Sequence, residues 1–464
     1  MVEGFIVYPT YRVEKGKSFV YLFGRLKDGR SFCSKNEYRA YFYIKKSDLK
    51  KALGIKVFEY EKEGMKTFKN EEVVKVFTDL PGDVPEYRKL FEENNIDCYE
   101  ADIRFAYRYL MDNNIKGSVK IEGEESKSSL NVDIFFNEPK LTSSDYKPKY
   151  KDLKILSIDI ETTKDHKELY CISLKSNDDK VSEVLVNKKG SWKNGKGYGS
   201  EKELLKSFKE KIVGYNTDII TGWNVIDFDL KILKDLFDKN GLKFNLGRLE
   251  EECTLSIQKS FFKDSKADFK GVMVLDGIHV MKGSFIQLED YKLDTAAKSF
   301  SKNKKLITKN KGVEIEKAFE ENTQKLVDYN LMDSELVLDI LENSGVLELT
   351  VLRSLLTGMA MDRVNASIAS FDFLYLSKLN KLGYVAPSVS YKERSSKTTG
   401  GYVMDTKPGI YDYIGVFDFK SLYPSIMITF NIDPLKLRSN CKPLGDEELL
   451  KAPNNVCFSK EEGL

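Results

Sequence analysis

Asp159 and Glu161, in the stretch KILSIDIET, stand two residues apart in an apolar run that reads as a strand. Both side chains then leave on one face, while Leu156, Ile158 and Ile160 leave on the other, towards a core. Strand residues i and i+2 lie roughly 7 Å apart. That is close enough to share two metal ions about 3.5–4 Å from each other. Further on, TGWNVIDFDL carries Asn224 and Asp229 at a strand end and a helix start, where a carboxylate can be aimed inward. YNLMD puts Tyr329 and Asp333 four apart, on one face of a helix. Each stretch alone has a plainer explanation, such as an exposed sheet face or a core tyrosine beside a solvated aspartate. Together they supply four carboxylates and a tyrosine, which are hard oxygen ligands suited to Mg²⁺ or Mn²⁺. The implied chemistry is phosphodiester hydrolysis, with a metal-activated water and stabilised charge on the phosphate. Tyr329 is the group expected to orient that water; neither His166 nor His279 is placed to do so. A separate stretch, GVFDFKSLYPSIMITFN, reads as a strand that brings Asp418 to its end and turns directly into a helix.

The elements that position these groups follow an α/β pattern from residue 153. The strand LKILSIDIE is followed by LYCISLK and VSEVLVN, then a helix SEKELLKSFKEKI, a strand IITGWN and a helix from about 228. A long amphipathic helix, NTQKLVDYNLMDSELVLDILEN, closes this unit. Before it, residues 1–130 mix alternating strand patterns with helices such as VPEYRKLFEENN. The polar Ser-, Pro- and Lys-containing stretch at 131–152 reads as a linker. Residues 346–385 are helical, and SYKERSSKTTGGYV at 390–403 is a small polar linker. The Lys-rich run at 298–312 is a solvated loop or a grip on a DNA backbone.

A chain of 464 residues is too long for one core. Its net charge of +2 gives no global basic signal, so any nucleic-acid surface must be local. No apolar run reaches the length of a membrane span and the N-terminus has no signal-peptide pattern, so a cytoplasmic protein with no membrane partner is expected. Six cysteines without a CxxC, and two histidines, argue against a zinc site. Most of the thiols read as buried residues.

The motif set resembles that of the B-family DNA polymerases. DIET (159–162), WNVIDFD (223–229) and YNLMD (329–333) are similar to the family's three exonuclease motifs, and DFKSLYPSI (418–426) to its first polymerase motif. YKLDTAAKSF and GMAMDRVNASIASFDFLYL also read like the family, and the N-terminal stretches at 11–30 and 100–113 are similar to archaeal members. The resemblance covers essentially the whole chain.

It implies an α/β and α+β multidomain fold: a mixed N-terminal domain (1–130), a linker (131–152), a ribonuclease H-like 3′→5′ exonuclease domain (153–345), a helical segment and linker (346–403), and an incomplete palm (404–464). Two Mg²⁺ or Mn²⁺ ions per site are implied, held by Asp159, Glu161, Asp229 and Asp333, and by Asp418 in the palm. Asn224 would touch the substrate strand. Ser421, Leu422 and Tyr423 would meet the triphosphate and sugar of a dNTP at a helix start, with Tyr423 excluding a 2′-hydroxyl. The resemblance also implies a disulfide near Cys441 and Cys457; a cytosolic location argues against the bond outside hyperthermophiles.

Three departures qualify this. The family's fingers helix with its Lys and Asn, and its second palm pair of the Asp-Thr-Asp type, are not in the sequence. Thr398 in TTGG stands where the family has tyrosine, and Ala40 where a uracil-sensing pocket that Tyr11 would fit has proline. The end, CFSKEEGL, resembles the point just before the fingers. The expected function is therefore the large N-terminal subunit of a split DNA-directed DNA polymerase with a proofreading exonuclease. Its expected partners are primer–template and single-stranded DNA, dNTPs, a second subunit with the fingers, the rest of the palm and the thumb, and a sliding clamp. A free-standing exonuclease and a truncated polymerase fragment are the alternatives.

Overall fold

The computed structural model describes residues 1–258, 264–302, 311–389, 402–443 and 445–464. Most of the Lys-rich run and the linker with Thr398 lie outside the described residues. The fold is mixed α/β and α+β. Contacts divide it into two units, one of Met1–Arg39 with Arg104–Leu374 and one of Ala40–Ile103 with Tyr375–Leu464. The first 130 residues thus contribute to both.

The first unit is built on a seven-stranded sheet with the order Ser191–Trp192, Gly195–Gly197, Ser182–Val186, Leu169–Ser176, Ile155–Thr162, Ile219–Gly222, Met273–Asp276. The strand Ile155–Thr162 pairs antiparallel with Leu169–Ser176 and parallel with Ile219–Gly222, so it is central. One face packs Leu156, Ile158 and Ile160 against the helices Glu201–Tyr215 and Asp229–Lys239, through Leu204, Leu205, Phe208, Leu230 and Leu233. Burying each such aliphatic side chain is worth about 1.5–3 kcal/mol. On the opposite face, Cys171, Val184 and Val186 pack with Leu326, Val327 and Tyr329 of the long helix Thr323–Asn343. That helix starts at Asn322, whose side chain accepts from Lys325 N. The central strand is thus apolar towards one layer and carries its carboxylates towards the other, as its alternation predicts.

A second sheet of this unit, six strands including Val2–Glu14 and Lys17–Leu26, is fastened to the first by a buried ion cluster. Asp218, fully buried, accepts from Arg248 Nη2 at 2.7 Å on one oxygen, and from Arg25 Nε and Lys154 N on the other. Burial pushes the Asp218 carboxyl up, but the two guanidinium groups outweigh it and hold the group below its ordinary value. Nothing in the sequence pattern flagged this cluster.

The second unit places a four-stranded sheet, containing Tyr41–Lys45 and Val73–Phe77, on the helix Asp83–Glu93, with Phe42 and Phe91 at its core. Its C-terminal part is a three-stranded sheet beside a Cys441–Cys457 disulfide. The other four cysteines are buried free thiols, as expected. The strand expected to deliver Asp418 does not form. Residues 411–420 are irregular and exposed, while the helix that follows, Leu422–Thr429, is present. A strand needs an edge to pair with, and among the described residues none pairs with this segment. Also among the described residues, no helix is long and apolar enough to cross a membrane.

Candidate active site

The carboxylates of the central strand meet the long helix. One carboxylate oxygen each from Asp159, Glu161 and Asp333 lie within 4.8 Å of one another. Among the described residues this is the group of acidic side chains suited to a metal ion. Asp159 and Glu161 are half-buried and Asp333 is buried. Three carboxylates this close, taken out of water, repel one another strongly unless a cation lies between them. Their oxygens are hard donors of the kind Mg²⁺ and Mn²⁺ prefer, so the donor set fits such ions.

Asp229, the fourth expected carboxylate, is not a member of that group; it follows the neighbouring parallel strand and feels the charge of Asp159. Gly222 ends that strand, and a Cβ there would meet the Ile158 carbonyl at 2.6 Å, so only glycine allows the two strands to run this close. The chain then reverses through Asn224 in the left-handed region, φ 61°, which asparagine tolerates well. Asp229 follows as the first residue of its helix, 2% exposed, with its Oδ1 accepting from Ile160 N at 3.0 Å. Burial, and then the charge of Asp159, push its carboxyl well above the ordinary range. Asn224 itself is half-buried.

Tyr329 is 1% exposed and stands one helical turn before Asp333. Burial raises its pKa first, and the charges of Asp333, Glu161 and Asp159 raise it further, so the phenol stays protonated among the carboxylates. A tyrosine and an aspartate one helical turn apart therefore face the site together.

Sequence reasoning missed the groups beneath the site. Asn330, fully buried, donates from Nδ2 to Asp159 Oδ2 at 2.6 Å and accepts from Cys171 Sγ at 3.4 Å. The hydroxyls of Ser173 and Ser334 share a 2.6 Å hydrogen bond, and Ser173 also donates to the Asp159 carbonyl. Asn330 and Ser334 lie four apart on the long helix and are both fully buried, which no local pattern distinguishes from solvated polar positions such as Asp328. His166 and His279 stand elsewhere, His166 against Phe228 and His279 beside Asp227 and Asp264.

The second predicted site is not assembled in this way. Asp418 is exposed, Tyr423 is 79% exposed and Leu422 42%. Ser421 sits at the helix start with φ 51° and makes no side-chain cap. Among the described residues no second cluster of acidic groups surrounds Asp418.

Comparison with known proteins adds the family. The profile of DNA polymerase family B, exonuclease domain, matches residues 96–296, and the profile of DNA polymerase family B matches residues 361–459. The chain belongs to DNA polymerase family B. The match at 96–296 takes in Asp159, Glu161, Asn224 and Asp229, and the match at 361–459 takes in Asp418 and Tyr423. This family B chain is 32% identical over 406 residues to DNA polymerase II of Escherichia coli, which covers 86% of the chain and 50% of that protein. It is 26% identical over 459 residues to a DNA polymerase of Archaeoglobus fulgidus, covering 93% of the chain and 54% of the relative. The solved family B polymerase of the archaeon Pyrobaculum calidifontis shares its fold, with a TM-score of 0.76 at 22% identity over 99% of this chain and 61% of that one. The chain spans about half the length of the curated relatives it matches.

Proposed function

We propose that this chain is the exonuclease-bearing N-terminal part of a split family B DNA polymerase. It would trim DNA from the 3′ end by itself and polymerise only with a second chain that carries the fingers, the remaining palm and the thumb. The observation that carries the first half is the convergence of Asp159, Glu161 and Asp333 within 4.8 Å.

In this reading Asp159, Glu161 and Asp333, with Asp229, hold a pair of Mg²⁺ or Mn²⁺ ions. Such ions, when bound, acidify a water and stabilise the charge on the phosphate and leaving oxygen. The rest is done by the chain's own groups. Asn330 fixes one oxygen of Asp159, which leaves the other to face the cluster. Tyr329, kept protonated beside the carboxylates, would orient the attacking water through its hydroxyl. Asn224, at the reversal before Asp229, would meet the 3′-terminal nucleotide.

Asp418, Ser421, Leu422 and Tyr423 are proposed for the dNTP site of the assembled enzyme, with primer–template DNA as substrate and a sliding clamp as a further partner. The segmentation proposed for these activities is 1–130, 131–152, 153–345, 346–403 and 404–464. A free-standing exonuclease is the second reading, favoured by the exposure of Asp418 without a strand to carry it. The test is degradation of 3′-labelled single-stranded and mismatched DNA with Mg²⁺ or Mn²⁺. Asp159→Ala/Glu161→Ala, or removal of metal by a chelator, should abolish cleavage; undiminished cutting by the double variant contradicts the assignment. Adding a chain that carries the fingers and second palm motifs separates the two readings, since only the split polymerase then extends a primer.

A further inference from the structure

Behind the loop that carries Asn224 and Asp229, the first unit contains a cavity of about 400 Å³. Ile226 of that loop forms part of its wall, with Val274, Val280 and Met361. All four are buried, 3–6% exposed, so the cavity has firm aliphatic sides. The volume falls within the roughly 300–1,000 Å³ of small-molecule sites.

Its lining carries polar and charged groups, among them Gln258, Ser265, Asn365, His279, Asp264 and Asp276. His279 Nε2 lies 3.9 Å from an oxygen of Asp264 and 3.9 Å from one of Asp227. Asp276 is committed to the fold, accepting from Ile226 N at 3.1 Å and Ile278 N at 2.9 Å. Asp264 is 64% exposed and able to accept from a ligand. The cations of the lining are Lys266 and Arg363, and Arg363 Nε lies 3.8 Å from an oxygen of Asp362. Arg104 adds to the positive field there. Burial, and then the charge of Arg363, press both Lys266 and Arg104 below their ordinary values, while Asp362 partly offsets this.

A divalent ion does not fit, because the acidic group suited to a metal among the described residues is the Asp159 cluster. A ligand with a flat, weakly polar body, hydrogen-bond donors on its edge and an anionic group does fit. The body lies between the aliphatic walls, its amino groups reach Asp264 and the ring of His279, and its anion meets the cations. We propose that the cavity is a second nucleotide-binding pocket, separate from the carboxylate cluster, which takes a base between its aliphatic walls and a phosphate against Lys266 and Arg363. This rests on the reading of the chain as one that handles DNA. The nucleotide is either a free deoxynucleoside monophosphate, the product of 3′-end trimming, or one residue of a single strand. Because Ile226 lies in the loop between Asn224 and Asp229, a filled pocket stiffens the segment that presents Asp229.

The test uses the full chain with a chelator present, so that no DNA is cut. Two fluorescent probes are titrated, 2-aminopurine deoxyriboside 5′-monophosphate and a single-stranded oligonucleotide with one 2-aminopurine. Saturable quenching is expected with at least one. Quenching of the monophosphate assigns the pocket to free product; quenching of the oligonucleotide alone assigns it to a strand residue. Lys266→Glu should weaken binding at least tenfold, and Ala366→Trp, at an exposed lining position, should do the same by filling space. Melting curves confirm folding; if the tryptophan variant is unstable, Lys266→Glu decides. Asp159→Ala/Glu161→Ala should bind as the unaltered chain does. The proposal is overturned if neither probe saturates, or if the double carboxylate variant loses binding while Lys266→Glu keeps it. A chain that cuts DNA but binds no probe removes the pocket alone, and a chain that binds probe but cuts nothing removes the exonuclease reading.

Discussion

Asp159 and Asp418 are both aspartates in motifs of one family, yet they stand in opposite physical circumstances. Asp159 leaves a central strand with hydrogen-bonded neighbours on both edges, a packed core behind it, and Asn330 holding one of its oxygens. Asp418 lies in an irregular segment in which Tyr413, Phe417 and Phe419 are 76–105% exposed. The difference teaches that a motif becomes a site only when other elements fix it. A strand cannot hold a carboxylate in place unless its backbone is paired and its apolar face is covered. The residues from Tyr413 to Phe419 are apolar on both alternating faces up to Asp418, the pattern of a strand buried on both sides. Such a segment stays irregular until both faces and both edges are met.

Attacking the scaffold of the first region should have the largest effect. Asp218→Ala leaves Arg25 and Arg248 buried without their carboxylate and should cost about 3–5 kcal/mol, read by denaturant unfolding. The same group sets a pH dependence. Its folded pKa is held below the unfolded value, so its contribution is complete above that value and is lost as pH falls through the acid range. The unaltered chain should therefore lose more stability between about pH 5 and pH 2 than the variant does.

A smaller effect is expected beneath the carboxylates. Asn330→Ala frees one oxygen of Asp159 and should weaken Mn²⁺ binding, measured by calorimetry, by about 10–100-fold, as loss of a ligand's hydrogen-bond partner commonly does. Asn330→Ser, shorter but polar, should recover part of it. An unchanged Mn²⁺ affinity in Asn330→Ala would mean that the strand alone positions Asp159.

The smallest effect belongs to the other region. Phe417→Ala should change stability by no more than about 0.5 kcal/mol, because the ring is 96% exposed and touches no core. Ile158→Ala, in the packed strand, should cost about 2–5 kcal/mol. A large loss from Phe417→Ala would show that the Asp418 segment is folded after all, and the comparison would fail.

These regions also show how far the sequence could be read. The strand through Asp159, the helix from Asp229 and the long helix with Tyr329 and Asp333 were legible because alternation and helical spacing are local. The family was legible because its motifs carry chemistry at fixed spacings. Asn330 under Asp159 was not, since a buried amide in a helix looks like any polar residue until its partner is known. The Arg25–Asp218–Arg248 cluster was equally hidden, because its members are 193 and 30 residues apart and share no pattern. The strand expected before Ser421 was over-read, because an apolar run states what a segment can bury and not whether a partner is present to bury it.

Asp159, Glu161 and Asp333 converge, whereas among the described residues Asp418 stands exposed without acidic neighbours, and the proposed function gives the two different activities. One reaction tests both halves: the 464-residue chain with a 5′-labelled primer annealed to a longer template, Mg²⁺ and all four dNTPs. The account predicts that the primer shortens from its 3′ end, that Asp159→Ala/Glu161→Ala stops the shortening, and that no product longer than the primer forms. A primer that lengthens, with the gain lost in Asp418→Ala, would contradict it.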